Sequence, residues 1–219
     1  MSDSQEIFEI IKTTRAIRRW RTEPVPDAMI ERILAAGQCA ANGANRQTWS
    51  FLVVRSEEIK RRIAEIYLAR LYEIALPLYR RSGIPPGMTE EGLERQIREV
   101  TYGSEHLSDA PVWSVACMRS ESSESRFEGA SIYPAVQNMI LACRALGLGT
   151  VLTTRHTGRG SEADAIFGLP EHVRSYAILP VGFPEAPFGP VRRGPLEDVV
   201  FEDTYGQPWS HFERSTSAG

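Results

Sequence analysis

The chain is short of cysteine, almost without lysine and free of long apolar runs, and each shortage removes a class of protein. Its three cysteines, Cys39, Cys117 and Cys143, are widely spaced and form no CxxC pair. That spacing argues against a zinc ribbon, a dithiol site or a disulfide framework, and for buried thiols in a cytosolic chain. Lysine occurs only at Lys12 and Lys60, so nearly every basic residue is arginine and an isolated arginine carries little weight as a signal. No apolar stretch is long enough to span a bilayer. The opening MSDSQEIFEIIKTTR is acidic before it is basic and has no apolar core or small-residue cleavage site, so no signal peptide is expected. A net charge of -3 and a pI near 5.9 leave no broad positive field for nucleic acid or an anionic membrane. An anion must meet a local cluster instead.

Several catalytic signatures are missing as well. His106, His156, His172 and His211 are scattered, without HExxH spacing or a nearby carboxylate partner, which makes them surface or structural residues and leaves no metal site. There is no G-x-S-x-G elbow and no GxxxxGK[ST] loop. The GLG at 147 to 149 lacks a third glycine and follows a helix where a dinucleotide fingerprint would follow a strand.

What is present suits one globular domain spanning residues 1–219: 42% hydrophobic and 24% charged residues, no internal repeat and no break in composition. Asp3 and Glu6 have capping-box spacing before Ile7, Phe8, Ile10 and Ile11, which predicts a short helix ending near Thr13. A second helix should start at Asp27 and bury Ile30, Ile33 and Leu34. SFLVV reads as a buried strand. Ser56 should cap a helix carrying Ile59, Ile63, Ile66, Leu71 and Ile74 until Pro77 bends or ends it, and Thr89 should open another through Leu93, Ile97 and Val100. APVWSVACM is a second central strand, and RSESSESRFE a solvated loop. Ile132, Val136, Met139, Ile140, Cys143 and Leu146 keep helical spacing from about Gly129 to a cap at Gly147. TVLTT and SYAILPVGF supply two more strands with a helix at SEADAIF between them. The sum is an α+β domain with helices covering about four strands.

Three polar clusters remain. TTRAIRRWR at 13 to 21 sets Arg15, Arg18 and Arg19 where a helix gives way to extended chain, and guanidinium forks suit phosphate oxygens. ANGANRQTWSF at 41 to 51 offers Asn42, Asn45 and Gln47 among small residues that let backbone N–H groups approach a ligand. GPVRRGP at 189 to 195 holds Arg192 and Arg193 between prolines and glycines. Each cluster alone also reads as an ordinary solvated face or turn.

In order along the chain, these pieces resemble the nitroreductase family of FMN-dependent oxidoreductases from about Thr13 to Tyr205, with a tail at 206–219. TTRAIRRWRTEPVPDAMIERILAAGQCAANGANRQTWSFLVV is similar to the family's opening R-R-S-x-R-x-F, P-V, helix, A-P-S-x-x-N-x-Q-P-W and strand. SIYPAVQNMILACRALGLGTVLTT resembles its core helix and following strand, and GFPEAPFGPVRRGPLEDVV its G-[YF]-P and P-L-E-[ED]-V-V close. The chain departs from the pattern at Thr14, Ala16 and Thr48 and at AANG. No family contact can be carried onto the stretch from Ile59 to Val100.

The resemblance implies a three-layer α/β/α sandwich with a central mixed, mainly antiparallel sheet in an intertwined homodimer. FMN would lie between the subunits. Arg15, Ala16 and Arg18 match the first phosphate motif and Arg192 and Arg193 the last. Asn42, Gly43, Asn45 and Gln47 match a motif that meets the flavin from the partner chain, and Thr153, Thr154 and Arg155 the stretch near the reactive face of the ring. The implied activity passes hydride from NADH or NADPH through FMN to a nitroaromatic, a quinone or a related small-molecule electrophile in ping-pong order, with no side chain required as nucleophile. Other flavin reactions of the fold, such as ene reduction, dehalogenation or flavin breakdown, and simple FMN storage remain open at this point.

Overall fold

A computed structural model of the chain describes residues 3–85, 87–119 and 126–212. The elements in order are α1 (Asp3–Thr13), α2 (Asp27–Gln38), β1 (Trp49–Val54), α3 (Glu57–Arg70), α4 (Leu76–Arg81), α5 (Glu90–Glu105), β2 (Val112–Arg119), α6 (Arg126–Ala145), β3 (Gly149–Thr150), α7 (Gly160–Ile166) and β4 (Val173–Gly182). Local chemistry accounts for their ends. The Ser56 hydroxyl accepts from Ile59 N and the Thr89 hydroxyl from Gly92 N, so both expected caps form. Gly147 takes φ +75° after α6, and Leu148 N returns to Cys143 O, which closes the helix in the conformation glycine favours.

Pro77 does not end its helix. Leu71–Ala75 forms one π turn, in which Leu76 N reaches back to Leu71 O, and the chain then continues as α4 with the proline in its first turn. The wider turn places the residue without an N–H where no regular bond is needed. Of the charged run expected as a solvated loop, residues 120–125 lie outside the described residues, and the chain is helical from Arg126 onward.

The sheet has the order β1-β2-β4-β3, and every pairing among the described residues is antiparallel. A parallel neighbour, which a mixed sheet requires, is not among them. β2 and β4 are central, and all of β2 but Arg119 is buried. β1 departs from the expectation of a buried strand. It is an edge, and only Val54 of its six residues is buried. TVLTT is likewise shorter as a strand than expected: the ladder stops at Thr150, and only Thr153 rejoins β4, exchanging both backbone bonds with Ile178.

Side-chain alternation in the two central strands makes the layers. Val112, Ala116 and Met118 of β2 and Ala177, Leu179 and Val181 of β4 pack with Ile30 and Ile33 of α2 and Ile132, Val136, Met139 and Cys143 of α6. Trp113, Val115 and Cys117, with Ile178, pack on the opposite face against Ile63, Ile66 and Tyr67 of α3 and Ala163 of α7. Among the described residues no helix is long and apolar enough to cross a membrane.

Candidate active site

Beyond α1 the chain runs extended and is held by backbone bonds from both directions. Ile17 N donates to Thr150 O at 3.0 Å, Arg21 N to Phe183 O at 2.8 Å, Glu185 N to Arg19 O at 3.2 Å and Val191 N to Lys12 O at 2.9 Å. Ile17 and Trp20 turn inward, and the Trp20 indole donates to Gly149 O at 3.0 Å. This anchoring lays segment 12–21 beside segment 183–191, so Arg15 comes next to Gly189, the first residue of the last motif. A β-carbon on Gly189 would stand 3.3 Å from Nη1 of Arg15. Arg192 and Arg193 follow at once on the surface, Arg193 Nη1 donating to Arg192 O at 2.8 Å.

Arg18 lies between two hollows. One, of about 350 Å³, is lined by Arg18, Tyr67, Tyr79, Thr153, Thr154 and Arg155 together with apolar side chains of the α3–α4 region. The other, of about 600 Å³, is lined by Arg15, Ala16, Arg18, Arg19, Arg95 and Glu99 among others. Arg19 is occupied, stacking on Tyr102 at 3.5 Å and bonding Glu99 at 3.3 Å. Arg155 donates to the Ser104 hydroxyl at 2.7 Å and lies 4.3 Å from the centre of the Tyr67 ring. Thr153 is buried and donates its hydroxyl to Ile178 O at 2.8 Å. Its side chain therefore holds the loop in place, and Thr154 and Arg155 are the neighbours left to face the hollow.

Burial lowers the pKa of Arg18, opposed by Tyr67, Tyr79 and Glu99 and reinforced by Arg155. Burial raises that of Tyr67, opposed by the same two guanidiniums. Behind the loop, His156 is fully buried and meets Phe167 edge-on, with no partner for either ring nitrogen among the described residues. Desolvation takes its pKa down to about 4, so the ring is neutral at pH 7.

The loop at 42–47 stands apart and lines neither hollow. Gly43 N donates to the Ser131 hydroxyl of α6 at 3.1 Å, Asn42 Oδ1 accepts from Gln47 N at 3.0 Å, and Gln47 Nε2 donates to Asn45 Oδ1 at 3.2 Å. Part of its amide capacity is thus used internally, to hold Ala44, Asn45 and Gln47 at φ near +50°. That left-handed region is unfavourable for residues with a β-carbon, asparagine being the best tolerated of the three, and such strain clusters at ligand-binding turns.

Two sequence expectations change. Cys39 is exposed, while Cys117 and Cys143 are buried and pushed up to about 12 by desolvation. His106 does have a carboxylate partner, Asp109, at 2.7 Å. Among the described residues no group of His, Cys, Asp or Glu is placed to hold a metal ion.

Tyr67, Tyr79, Gly103 and Ser104 escaped the sequence reading. Tyr67 shares helical spacing with Ile63 and Ile66, so it reads as core. Gly103 carried a usable signal, because a glycine inside a helix costs stability unless something packs against it. Here that is the Arg18 stem, whose Cδ would lie 2.5 Å from a β-carbon at Gly103.

Known proteins share this chain's sequence pattern and its fold. The NADH dehydrogenase of Thermus thermophilus is 29% identical over 85% of this chain and 90% of its own length. Oxidised iodotyrosine deiodinase bound to FMN and 3-iodo-L-tyrosine superimposes with a TM-score of 0.71 at 24% identity, covering 91% of this chain and all of that one. A nitroreductase with bound FMN from Desulfitobacterium hafniense gives 0.69 at 20% identity, covering 93% of this chain and 100% of its own. The Nitroreductase family model matches residues 11–183, which hold the extended arginine segment, the sheet and the cavity loop, and the chain therefore belongs to the nitroreductase family.

Proposed function

We propose that the chain is an FMN-dependent oxidoreductase that takes electrons from NADH or NADPH, delivers them to a small electrophilic acceptor such as a nitroaromatic or a quinone, and works as a homodimer. The observation that carries this reading is the backbone pairing of segment 12–21 with segment 183–191, which puts Arg15 beside Gly189, three residues before the Arg192 and Arg193 pair in the chain. Neither Arg15 nor that pair has a carboxylate partner among the described residues, so the donor set suits a phosphate. Arg15, Ala16, Arg192 and Arg193 would hold the phosphate end of the cofactor, and Arg18 its electron-rich ring edge. Thr153, Thr154 and Arg155 would line its reactive side. Bound FMN supplies two-electron hydride chemistry; the protein supplies orientation and charge.

A second copy completes the site in this reading. Asn42, Gly43, Asn45 and Gln47 line neither of the two hollows that flank Arg18 and are assigned to the partner's. Support comes from apolar surface that one chain leaves bare: Leu196, Val199 and Tyr205 are 60%, 69% and 94% exposed. An open groove of about 670 Å³ also runs between α2 and the unpaired edge of β1. The test is the visible spectrum of the purified protein with and without each nicotinamide donor under anaerobic conditions, combined with its sedimentation. The expected result is a yellow dimer bleached by NADH or NADPH. A colourless protein or a flavin-bearing monomer would overturn the reading, and a yellow protein that no donor bleaches would make it a storage protein.

The likeness to a deiodinase structure holding 3-iodo-L-tyrosine favours one further reading, reductive dehalogenation on the same fold. Product analysis with 3-iodo-L-tyrosine and a nitroaromatic side by side separates the two.

A further inference from the structure

The hollow of about 350 Å³ contains two guanidiniums, Arg18 and Arg155, and no Asp or Glu in its lining. Glu99 lies near enough to influence Arg18 but is bonded to Arg19, and Glu73 is bonded to Arg159. Arg18 has no hydrogen-bond or ion-pair partner among the described residues. Arg155 spends one N–H on Ser104 and rests on the Tyr67 ring, which orients the guanidinium without neutralising it. Two like charges held together in a half-buried space repel each other, and the arrangement is relieved when an anion enters.

The other walls say what kind of anion. The Tyr67 ring is covered by Arg155, Tyr79 offers a ring surface, and Ile74, Leu78 and Leu152 offer aliphatic ones. The volume lies within the roughly 300–1,000 Å³ typical of small-molecule sites. A phosphate ester has no use for such walls, and the phosphate-binding arginines proposed above, Arg15, Arg192 and Arg193, do not line this hollow.

From this, and resting on the flavin reading above, we infer that the electron acceptor of this protein is a small conjugated carboxylic acid whose carboxylate is received by Arg155, so that Arg155 selects the acceptor and Arg18 serves the cofactor. The acid's planar body lies along Tyr79 and the aliphatic wall. An uncharged acceptor of the same shape leaves Arg155 without an anion and is discriminated against by the value of one charge-assisted contact, about ten- to a hundredfold.

Binding of benzoate and of benzamide to the purified flavoprotein, measured by calorimetry, tests this without turnover. Benzoate should bind at least tenfold more tightly. Arg155→Gln should erase that advantage, and Arg155→Lys should restore part of it. In turnover with saturating donor, kcat/KM for 4-nitrobenzoate should exceed that for methyl 4-nitrobenzoate by a similar factor, through KM, and the ratio should fall toward one in Arg155→Gln. Equal affinity for benzoate and benzamide overturns the inference. So does loss of flavin from Arg155→Gln, which would give Arg155 to the cofactor, or a rise in KM for NADH or NADPH alone, which would give it to the donor's phosphates. Should Arg155→Gln fail to fold, the benzoate and benzamide comparison on the unmodified protein decides by itself. A colourless protein would sink the flavin reading and this inference with it, whereas a yellow protein that binds benzoate and benzamide equally would sink this inference alone.

Discussion

The two faces of the sheet share the same central strands and differ in what they bury. On the α2/α6 face the contacts are Val112, Ala116, Met118, Ile132, Val136, Met139 and Leu179, and the buried polar side chains there are the small hydroxyls of Ser114, Ser131 and Thr150. Opposite, the α3/α7 side buries Lys60, Tyr67, His156 and Asp164 among its apolar residues. Lys60 is satisfied by Glu57 at 2.9 Å and Ala110 O at 3.1 Å, and Asp164 receives Ser175 N and its hydroxyl at 2.9 and 2.5 Å. His156 receives nothing from the described residues. Buried ionisable groups cost free energy unless paired, so the polar side spends stability that the apolar side provides, and the Arg18–Arg155 hollow opens on the polar side.

Four experiments break or sharpen this contrast. The largest effect should come from the rim of the polar side: replacing Arg192 and Arg193 together by alanine should weaken FMN by about 1.5–3 kcal/mol per lost contact, more than a hundredfold in all, with little change in melting temperature. Stoichiometric flavin in the double variant would remove the pair from the site. Ile132→Ala should do the reverse, costing about 2–5 kcal/mol in denaturant unfolding while the flavin-to-protein ratio holds.

The third is a pH experiment. The unfolded His156 ring titrates near 6.5 and the folded one near 4. Between those values the unfolded chain takes up a proton that the folded chain refuses, so stability is complete above about pH 6.5 and is lost as the pH falls toward 4. The loss amounts to about 3 kcal/mol. Denaturant curves across that window should show it in the native protein and not in His156→Leu, and parallel losses in both would show that the ring is not the responsible group. The smallest effect is expected of Gly103→Ala, whose methyl displaces the Arg18 stem and should cost about 1–3 kcal/mol, visible in flavin affinity as well as in stability. Normal stability with normal flavin would mean that Arg18 yields freely.

Regular elements were legible where one physical rule governs them. Ser56 and Thr89 cap the helices they precede, the spacing from Ile132 to Leu146 gives α6, and the run of β2, apolar but for Ser114 before Arg119, marks a strand covered on both faces. Less was legible where neighbours decide. SFLVV is apolar enough for a central strand yet lies at an edge, because pairing partners are chosen across the whole chain. Pro77 promises a helix end and meets a π turn. At the site, the arginine clusters stood out only as one motif among other arginines, and Tyr67 and Ser104 were indistinguishable from core and surface helix residues.

By itself, then, the sequence determined the periodicities, the caps, the arginine clusters and the family pattern, because each depends on residues adjacent or a few positions apart. Only the tertiary structure decided that Lys12 meets Val191, that Arg18 lies against Gly103 and that Arg155 rests on Tyr67 beside Ser104. Those contacts join residues dozens to well over a hundred positions apart, and no local rule carries them. They follow from the way antiparallel strands and the helices packed on them bring distant segments side by side.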